Sequence, residues 1–174
     1  MRIAEELATG RFLDHGEHVV FRGPPGTGKP HVASGLGLKA VQPGHRPRFT
    51  SAFTLIAALT KASADNRVEE RLKLSTVPKR LIIDEIGYIP LDRHGAHLFF
   101  QLISRRYARG AIILPANQSF GQWAEVFGDP SVATAILDRL LHHSHVINIT
   151  GDSYRLKEKQ KAGLIKKAST QDVV

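Results

Sequence analysis

One stretch of the 174-residue chain decides its fold: Gly23-Pro24-Pro25-Gly26-Thr27-Gly28-Lys29. Its spacing, G-x-x-x-x-G-K, is that of a phosphate-binding loop. Glycines allow successive backbone N–H groups to turn toward an anion, and a following helix adds its positive amino-terminal end. The lysine supplies a mobile cation for the terminal phosphates. We therefore predict a phosphate loop for ATP, with an ordinary Gly-Pro turn as the alternative.

The residue after this loop departs from the pattern. Position 30 should carry the Ser or Thr hydroxyl that binds Mg²⁺, and it carries Pro30 instead. Proline lacks both the hydroxyl and a backbone N–H, and a charge-assisted hydrogen bond contributes about 1.5–3 kcal/mol. Because proline is tolerated in the first turn of a helix, we expect the fold to survive. We expect weakened Mg-nucleotide binding and strongly reduced hydrolysis.

Five short apolar, β-prone runs alternate with helical patterns. The runs cover residues 19–21, 48–50, 81–83, 111–114 and 146–149. Helical spacing covers residues 30–41, 95–108 and 131–142; in the first of these, Val32, Leu36 and Ala40 share a face. This alternation predicts an α/β fold, with a parallel sheet covered by helices on both faces.

Residues 54–76 interrupt the alternation and predict two further helices, inserted between the second and third strands. We assign residues 1–160 to one ATP-binding core. Residues 161–174 form a basic tail that we expect to be disordered.

Polar residues follow the third and fourth predicted strands. Asp84 and Glu85 end the third, at the edge where ligands of parallel sheets gather. There Asp84 can hold Mg²⁺ and Glu85 can act as general base toward water, unless both are merely solvated acids. Asn117, after the fourth strand, either orients that water or forms a turn. Arg139 either reaches a neighbouring subunit's nucleotide or pairs with an acid such as Asp138.

Composition narrows the function classes. The chain carries 24 Lys and Arg against 16 Asp and Glu, a net charge of +8, which favours contact with nucleic acid over solubility alone. Cysteine is absent, which excludes disulfides and thiolate metal sites. Apolar runs are only a few residues long, and the first residues include acids. We therefore expect a cytoplasmic protein without membrane association.

Several longer motifs resemble one family. They are the phosphate loop, residues 81–92, residues 99–104 with 106–107, Trp123 with residues 127–130, residues 135–143, and Ser153-Tyr154-Arg155-Leu156-Lys157. Together they resemble the IstB-like ATP-binding proteins of insertion sequences, which are AAA+ ATPases related to the helicase loader DnaC. The resemblance covers roughly residues 5–160.

The resemblance implies a P-loop αβα sandwich with strand order 5-1-4-3-2 and no lid domain. Asp84 and Glu85 become the Walker B pair, Asn117 the sensor-1 residue, and Arg139 an arginine finger acting across a subunit interface. The 54–76 insertion becomes the helical insert that lines the DNA channel of an oligomer. The implied function is to assist a transposase by binding DNA as an ATP-dependent homo-oligomer.

Three departures from the family point to an alternative. Pro30 stands where the family carries Thr, Pro115 stands where it usually carries Thr or Ser, and an expected amino-terminal partner-binding region is missing. They indicate a truncated copy, and the alternative function is a non-hydrolysing nucleic-acid-binding module. A small-molecule kinase fits less well, because Asp84, Glu85 and Asn117 suit attack by water.

Overall fold

The computed structural model describes residues 6–7, 9–39, 47–88, 90–107 and 109–154. The predicted tail at 161–174, residues 155–160 of the core and the end of the helix predicted at 30–41 lie outside the described residues. The insertion and all five predicted strands lie within them.

The strands form one parallel sheet. They are β1 (His18–Arg22), β2 (Arg48–Ser51), β3 (Arg80–Asp84), β4 (Ala111–Ala116) and β5 (Ser144–Asn148). Their spatial order is β2-β3-β4-β1-β5, which is the expected order 5-1-4-3-2 written in the opposite direction, and the expectation is confirmed. Since all strands are parallel, their carboxyl ends share one edge of the sheet, which we call the carboxyl edge. The amino edge is opposite.

Seven α-helices and one 3₁₀ turn at Phe120–Gln122 are described. The helices are α1 (Arg11–Asp14), α2 (Lys29–Lys39), α3 (Ala52–Ala64), α4 (Val68–Thr76), α5 (Arg93–Arg106), α6 (Trp123–Phe127) and α7 (Pro130–His142). They occupy both faces of the sheet, because alternate strand residues enter two separate cores. Val20 packs with α3, α5 and α7, whereas Val19 and Phe21 pack with α1 and α2.

The insertion forms the two predicted helices. Ser51 caps α3, its hydroxyl accepting a hydrogen bond from the Thr54 N–H at 3.1 Å, and this helix buries Leu55, Ile56 and Leu59. In α4, Leu72 is buried, whereas Leu74 is half exposed.

The face predicted for α2 is only partly correct, because Leu36 packs against the core but Val32 does not. Val32 is 47% exposed, whereas its neighbour Ala33 is fully buried. The physical reason is Gly37, where an added Cβ would lie 2.6 Å from Ile82 Cδ1. A helix approaching the sheet this closely needs small residues on its inner face, and these escape a search for large apolar residues.

Buried polar groups hold the amino edge together. The Arg106 guanidinium donates to the carbonyls of Ser75, Pro78 and Ala111, each at 2.9 Å, and of Lys79 at 3.3 Å. His18 is also buried, and its Nδ1 accepts the Ile112 N–H at 3.1 Å. Burial, helped by Arg106 and His143, lowers the pKa of His18 to about 4. The ring is therefore neutral at neutral pH.

Candidate nucleotide-binding site

The predicted phosphate loop connects β1 to α2 at the carboxyl edge. Gly26 and Gly28 adopt left-handed backbone conformations, with φ of 80° and 82°. Residues with side chains rarely adopt this conformation, so the two glycines are needed for the shape of the loop. The Thr27 hydroxyl donates to the Pro24 carbonyl at 2.9 Å, which closes the turn.

The chain after β5 lies against this loop. At Gly23, an added Cβ would lie 2.1 Å from the Ile149 carbonyl oxygen. At Gly26, an added Cβ would lie 2.1 Å from Ser153 Oγ. The Tyr154 N–H donates to the Gly26 carbonyl at 2.9 Å. These contacts tie the segment 149–154 to the loop. Sequence reasoning assigned no role to Ser153, although it begins one of the motifs shared with the family.

Lys29 is folded back onto the loop. Its side chain is buried, and Nζ donates to the Gly23 and Pro24 carbonyls at 2.7 and 2.6 Å. Burial lowers the pKa of Lys29, while the Asp84 carboxylate acts in the opposite direction. The ammonium therefore lies between loop carbonyls and within the electrostatic influence of an acid. This position is suitable for a cation that binds phosphate.

Asp84 and Glu85 lie where β3 ends. Asp84 is half-buried, and its Oδ1 accepts the Glu85 N–H at 2.8 Å. Glu85 is exposed and has a φ of 61°, a left-handed conformation that costs a residue with a side chain about 1–2 kcal/mol. Strain of this kind is concentrated at functional sites.

A cleft of about 350 Å³ separates α2 from these acids. Its lining includes Pro30, Ser34, Asp84, Glu85 and Pro115. Pro30 does not break α2, which runs continuously from Lys29 to Lys39. The expected tolerance of proline in the first turn is therefore confirmed.

The residues at the cleft fit a triphosphate better than a divalent cation. The loop offers left-handed glycines, a helix amino terminus and Lys29 to phosphate oxygens. A magnesium ion would find the Asp84 carboxylate, and one helical turn beyond Pro30 the Ser34 hydroxyl. Position 30 itself provides no oxygen from its side chain.

Asn117 also lies at the carboxyl edge, directly after β4. It is half-buried, and β4 lies between β1, which leads to the loop, and β3, which leads to the acids. The next residue, Gln118, was not singled out from the sequence. Its Nε2 donates to the Gly87 carbonyl at 2.8 Å, so it connects this turn to the loop that follows Glu85.

Arg139 is not near the other predicted site residues of its own chain. It lies in the last turns of α7, the helix that leads to β5 at the amino edge. Its Cζ is 4.6 Å from the centre of the Phe100 ring, and Nη1 donates to the Ala135 carbonyl at 3.4 Å. In the described part of the chain it forms no ion pair with Asp138. An arginine at this position can meet a nucleotide only across an interface.

In the residues that the structure covers, no helix combines the length and the apolar character needed to cross a bilayer.

The fold is similar to that of solved replication proteins. The DnaC helicase loader matches with a TM-score of 0.69 and 20% identity, covering 85% of this chain and 86% of that chain. A replication initiator DnaA bound to AMPPCP and single-stranded DNA matches with a TM-score of 0.69 and 18% identity, covering 96% of this chain and 53% of that one. At these identities the likeness establishes the P-loop AAA+ fold alone.

Insertion-sequence proteins are much closer in sequence. A protein of Pseudomonas aeruginosa, described as an ATP-binding protein of insertion sequence IS21, is 52% identical over 169 residues, or 97% of this chain. A counterpart in insertion sequence IS5376 of Geobacillus stearothermophilus is 46% identical over 159 residues, or 91% of this chain. The chain spans 64% and 63% of the lengths of these two relatives. Residues 1–162 match the model of the IstB-like ATP binding protein family, and the chain belongs to that family.

Proposed function

We propose that this chain binds ATP through the loop from Gly23 to Lys29 and assists DNA transposition by binding DNA as an oligomer. One observation carries the nucleotide assignment. Left-handed glycines, a buried lysine and the Asp84–Glu85 pair meet at one edge of a parallel sheet. Membership in the IstB-like family, together with relatives described as ATP-binding proteins of insertion sequences, supports the context of transposition.

The proposed roles follow from position. Loop N–H groups and Lys29 would bind the terminal phosphates, and in doing so Lys29 would exchange its bonds to the Gly23 and Pro24 carbonyls for phosphate oxygens. Asp84 would hold Mg²⁺, which when bound offsets the negative charge of the phosphates. Exposed Glu85 would accept a proton from water, and Asn117 would orient that water. Pro30, directly after the loop, would contribute only shape.

The partners in this proposal are DNA, a transposase and further copies of the chain. The net charge of +8 supports DNA binding. Basic residues of the insertion, α3 and α4, are candidates for phosphate contacts: Lys61, Arg67, Arg71 and Lys73. Arg67 is bound by Glu70 at 2.9 Å, so we expect its contribution to be the smallest of the four. Arg139 would act on the nucleotide of a neighbouring copy.

Residues 1–160 would form one ATP-binding core.

Titration with fluorescent ATP tests the nucleotide assignment. Lys29→Met should weaken binding by about a hundredfold, because a charge-assisted contact to phosphate is lost. The matched control is Lys79→Met, which removes an exposed lysine outside the site and should leave affinity unchanged. Equal affinities of wild type and Lys29→Met would contradict the proposed site.

A DNA titration tests the second part of the proposal. If ATP drives assembly on DNA, saturating ATP should raise DNA affinity several-fold in the wild type and not in Lys29→Met. Affinity should also fall steeply with salt, since phosphate contacts release counterions.

Pro30 favours a second candidate function, a non-hydrolysing DNA-binding module. This function predicts the same salt dependence of DNA binding. It also predicts that DNA affinity does not change when ATP is added, and that ATP is hydrolysed no faster than in buffer alone. Hydrolysis stimulated by DNA and abolished by Glu85→Gln would exclude it.

A further inference from the structure

The loop after β3 is held in a conformation that its residues do not favour. Glu85 has a φ of 61°, and Gly87, two residues later, has a φ of 90°. Glu85 and Tyr88 are exposed, so the packing of this loop on the core falls on Ile86, which is buried. The internal turn of the loop is weak, because the Tyr88 N–H lies 3.5 Å from the Glu85 carbonyl oxygen.

Gln118 holds this loop from the neighbouring strand. Its Nε2 donates to the Gly87 carbonyl at 2.8 Å. The same side chain lies against the Gly87 Cα, where an added Cβ would be 3.0 Å from Oε1 and 3.4 Å from Cγ. Ile86 forms a parallel bridge with Ala116, which brings the turn after β4 to the loop after β3. Hydrogen bond, packing and bridge together fix Gly87.

We infer that Gln118 is a positioning residue, which acts through Gly87 to keep Glu85 at the cleft. The inference rests on the proposed function, because Glu85 is the proposed base there. Gln118 directly follows Asn117, so one short turn would set the positions of both groups that face the attacking water. With the amide removed, the loop loses the side-chain hydrogen bond that Gln118 donates to it from the turn after β4, and Glu85 can relax toward an ordinary conformation.

The contact can be removed with little effect on the rest of the fold. Gln118 is only partly buried, and its Oε1, which is buried, has no hydrogen-bond partner among the residues that the structure describes. Gln118→Met keeps the length of the side chain and removes both the useful donor and this unpaired acceptor. The matched control is Gln101→Met, an exposed glutamine on α5.

Hydrogen exchange of the nucleotide-free protein gives the first test. In Gln118→Met, the amides of residues 86–88 should exchange at least about tenfold faster, while the urea midpoint and exchange in β1 and β4 stay as in wild type. Gln101→Met should change neither. Unchanged exchange at 86–88, or an increase spread over the whole sheet, would overturn the inference. Because no nucleotide is present, this result does not depend on ATP binding.

Kinetics in a Pro30→Thr parent give the second test. Gln118→Met should lower kcat by about tenfold or more and leave KM unchanged, since the phosphate loop is intact. In Gln118→Glu a carboxyl can donate to the Gly87 carbonyl only when protonated, so its kcat relative to the parent should recover as pH falls. The inference would be overturned by a rise in KM in Gln118→Met, or by a kcat of Gln118→Glu, relative to the parent, that does not change with pH. A parent that binds ATP without hydrolysing it would contradict the proposed chemistry, and exchange at 86–88 would then decide the role of Gln118.

Discussion

The two edges of the sheet each bury a cation against backbone carbonyls, with different consequences. At the carboxyl edge, Lys29 donates to two carbonyls of a single loop and lies close enough to Asp84 for the carboxylate to affect its pKa. At the amino edge, Arg106 donates to four carbonyls, contributed by the segment 75–79 and by β4. The lysine can exchange its partners for phosphate without unfolding anything, whereas the arginine cannot leave without separating the elements that it joins.

The backbone shows the same division. The carboxyl edge contains Gly26, Gly28, Glu85 and Gly87, all with positive φ, and an exposed acid. The amino edge contains His18 and Arg106, both almost completely buried. The strained backbone of Glu85 and its exposed carboxylate therefore lie where we propose that nucleotide binds, whereas the buried polar groups that join neighbouring elements lie at the opposite edge.

Removing Arg106 should give the largest effect on stability. Arg106→Met removes the guanidinium that donates to four carbonyls at the amino edge, of which that of Lys79 keeps a second donor, the Ala111 N–H. We expect a loss of about 3–5 kcal/mol in the free energy of unfolding. Urea unfolding measures it. Arg109→Met, which removes an exposed arginine nearby, should cost less than about 0.5 kcal/mol. Similar losses in the two variants would contradict the role given to the buried guanidinium.

Acid should weaken the amino edge through His18. Its pKa is about 4 in the folded chain and 6.5 for a free histidine, so the neutral ring is favoured by folding. This stabilisation is complete above pH 6.5 and is lost as pH falls from 6.5 to 4, by about 3 kcal/mol in all.

The check is urea unfolding at several pH values. His18→Asn keeps an acceptor for the Ile112 N–H and cannot titrate, so its stability should fall less steeply over the same window. Parallel curves for the variant and the wild type would show that another group carries the acid sensitivity.

An alanine at Gly26 should separate the loop from the segment that follows β5. Gly26→Ala forces a side chain into a φ of 80° and against Ser153 Oγ, at an expected cost of about 1–2 kcal/mol. Gly28→Ala is the matched control, because its φ is 82° but an added Cβ meets nothing within 4 Å. The difference in thermal stability between these two variants measures the cost of the contact with Ser153. Equal losses would mean that only the backbone conformation matters.

The smallest effect is expected at Arg139. Its contact with Phe100 is a cation–π interaction, for which we expect a coupling of about 0.5–1 kcal/mol. A double-mutant cycle with Arg139→Met and Phe100→Leu measures this coupling in the isolated chain. A value near zero would contradict a stabilising role for the contact between Arg139 and Phe100.

Regular patterns made much of this fold predictable. The alternation of apolar runs with helical spacing predicted all five strands and both insertion helices, because each pattern reports which side of an element is buried. The spacing from Gly23 to Lys29 predicted a loop whose left-handed glycines are present. The order of the strands came from the family resemblance and not from periodicity.

The unpredicted features depend on contacts between distant residues. Neither the approach of α2 at Gly37 nor the bond from Gln118 to Gly87 has a local pattern, since each depends on the neighbouring strand. Arg106 looks like a surface residue in the sequence, because nothing nearby shows that four carbonyls converge on it. Arg139 was given an acidic partner as its alternative, whereas the structure provides an aromatic ring.

An ATP titration with and without Mg²⁺ tests whether the carboxyl edge holds an ATP site that is weakened at position 30. Pro30→Thr restores a hydroxyl and an N–H, whereas Pro30→Ala restores the N–H alone. We expect Pro30→Thr to bind MgATP about ten- to hundredfold more tightly than wild type, and the Mg²⁺-dependent part of this gain to be absent in Pro30→Ala. Wild type that binds MgATP as tightly as Pro30→Thr, with an equal response to Mg²⁺, would contradict this expectation.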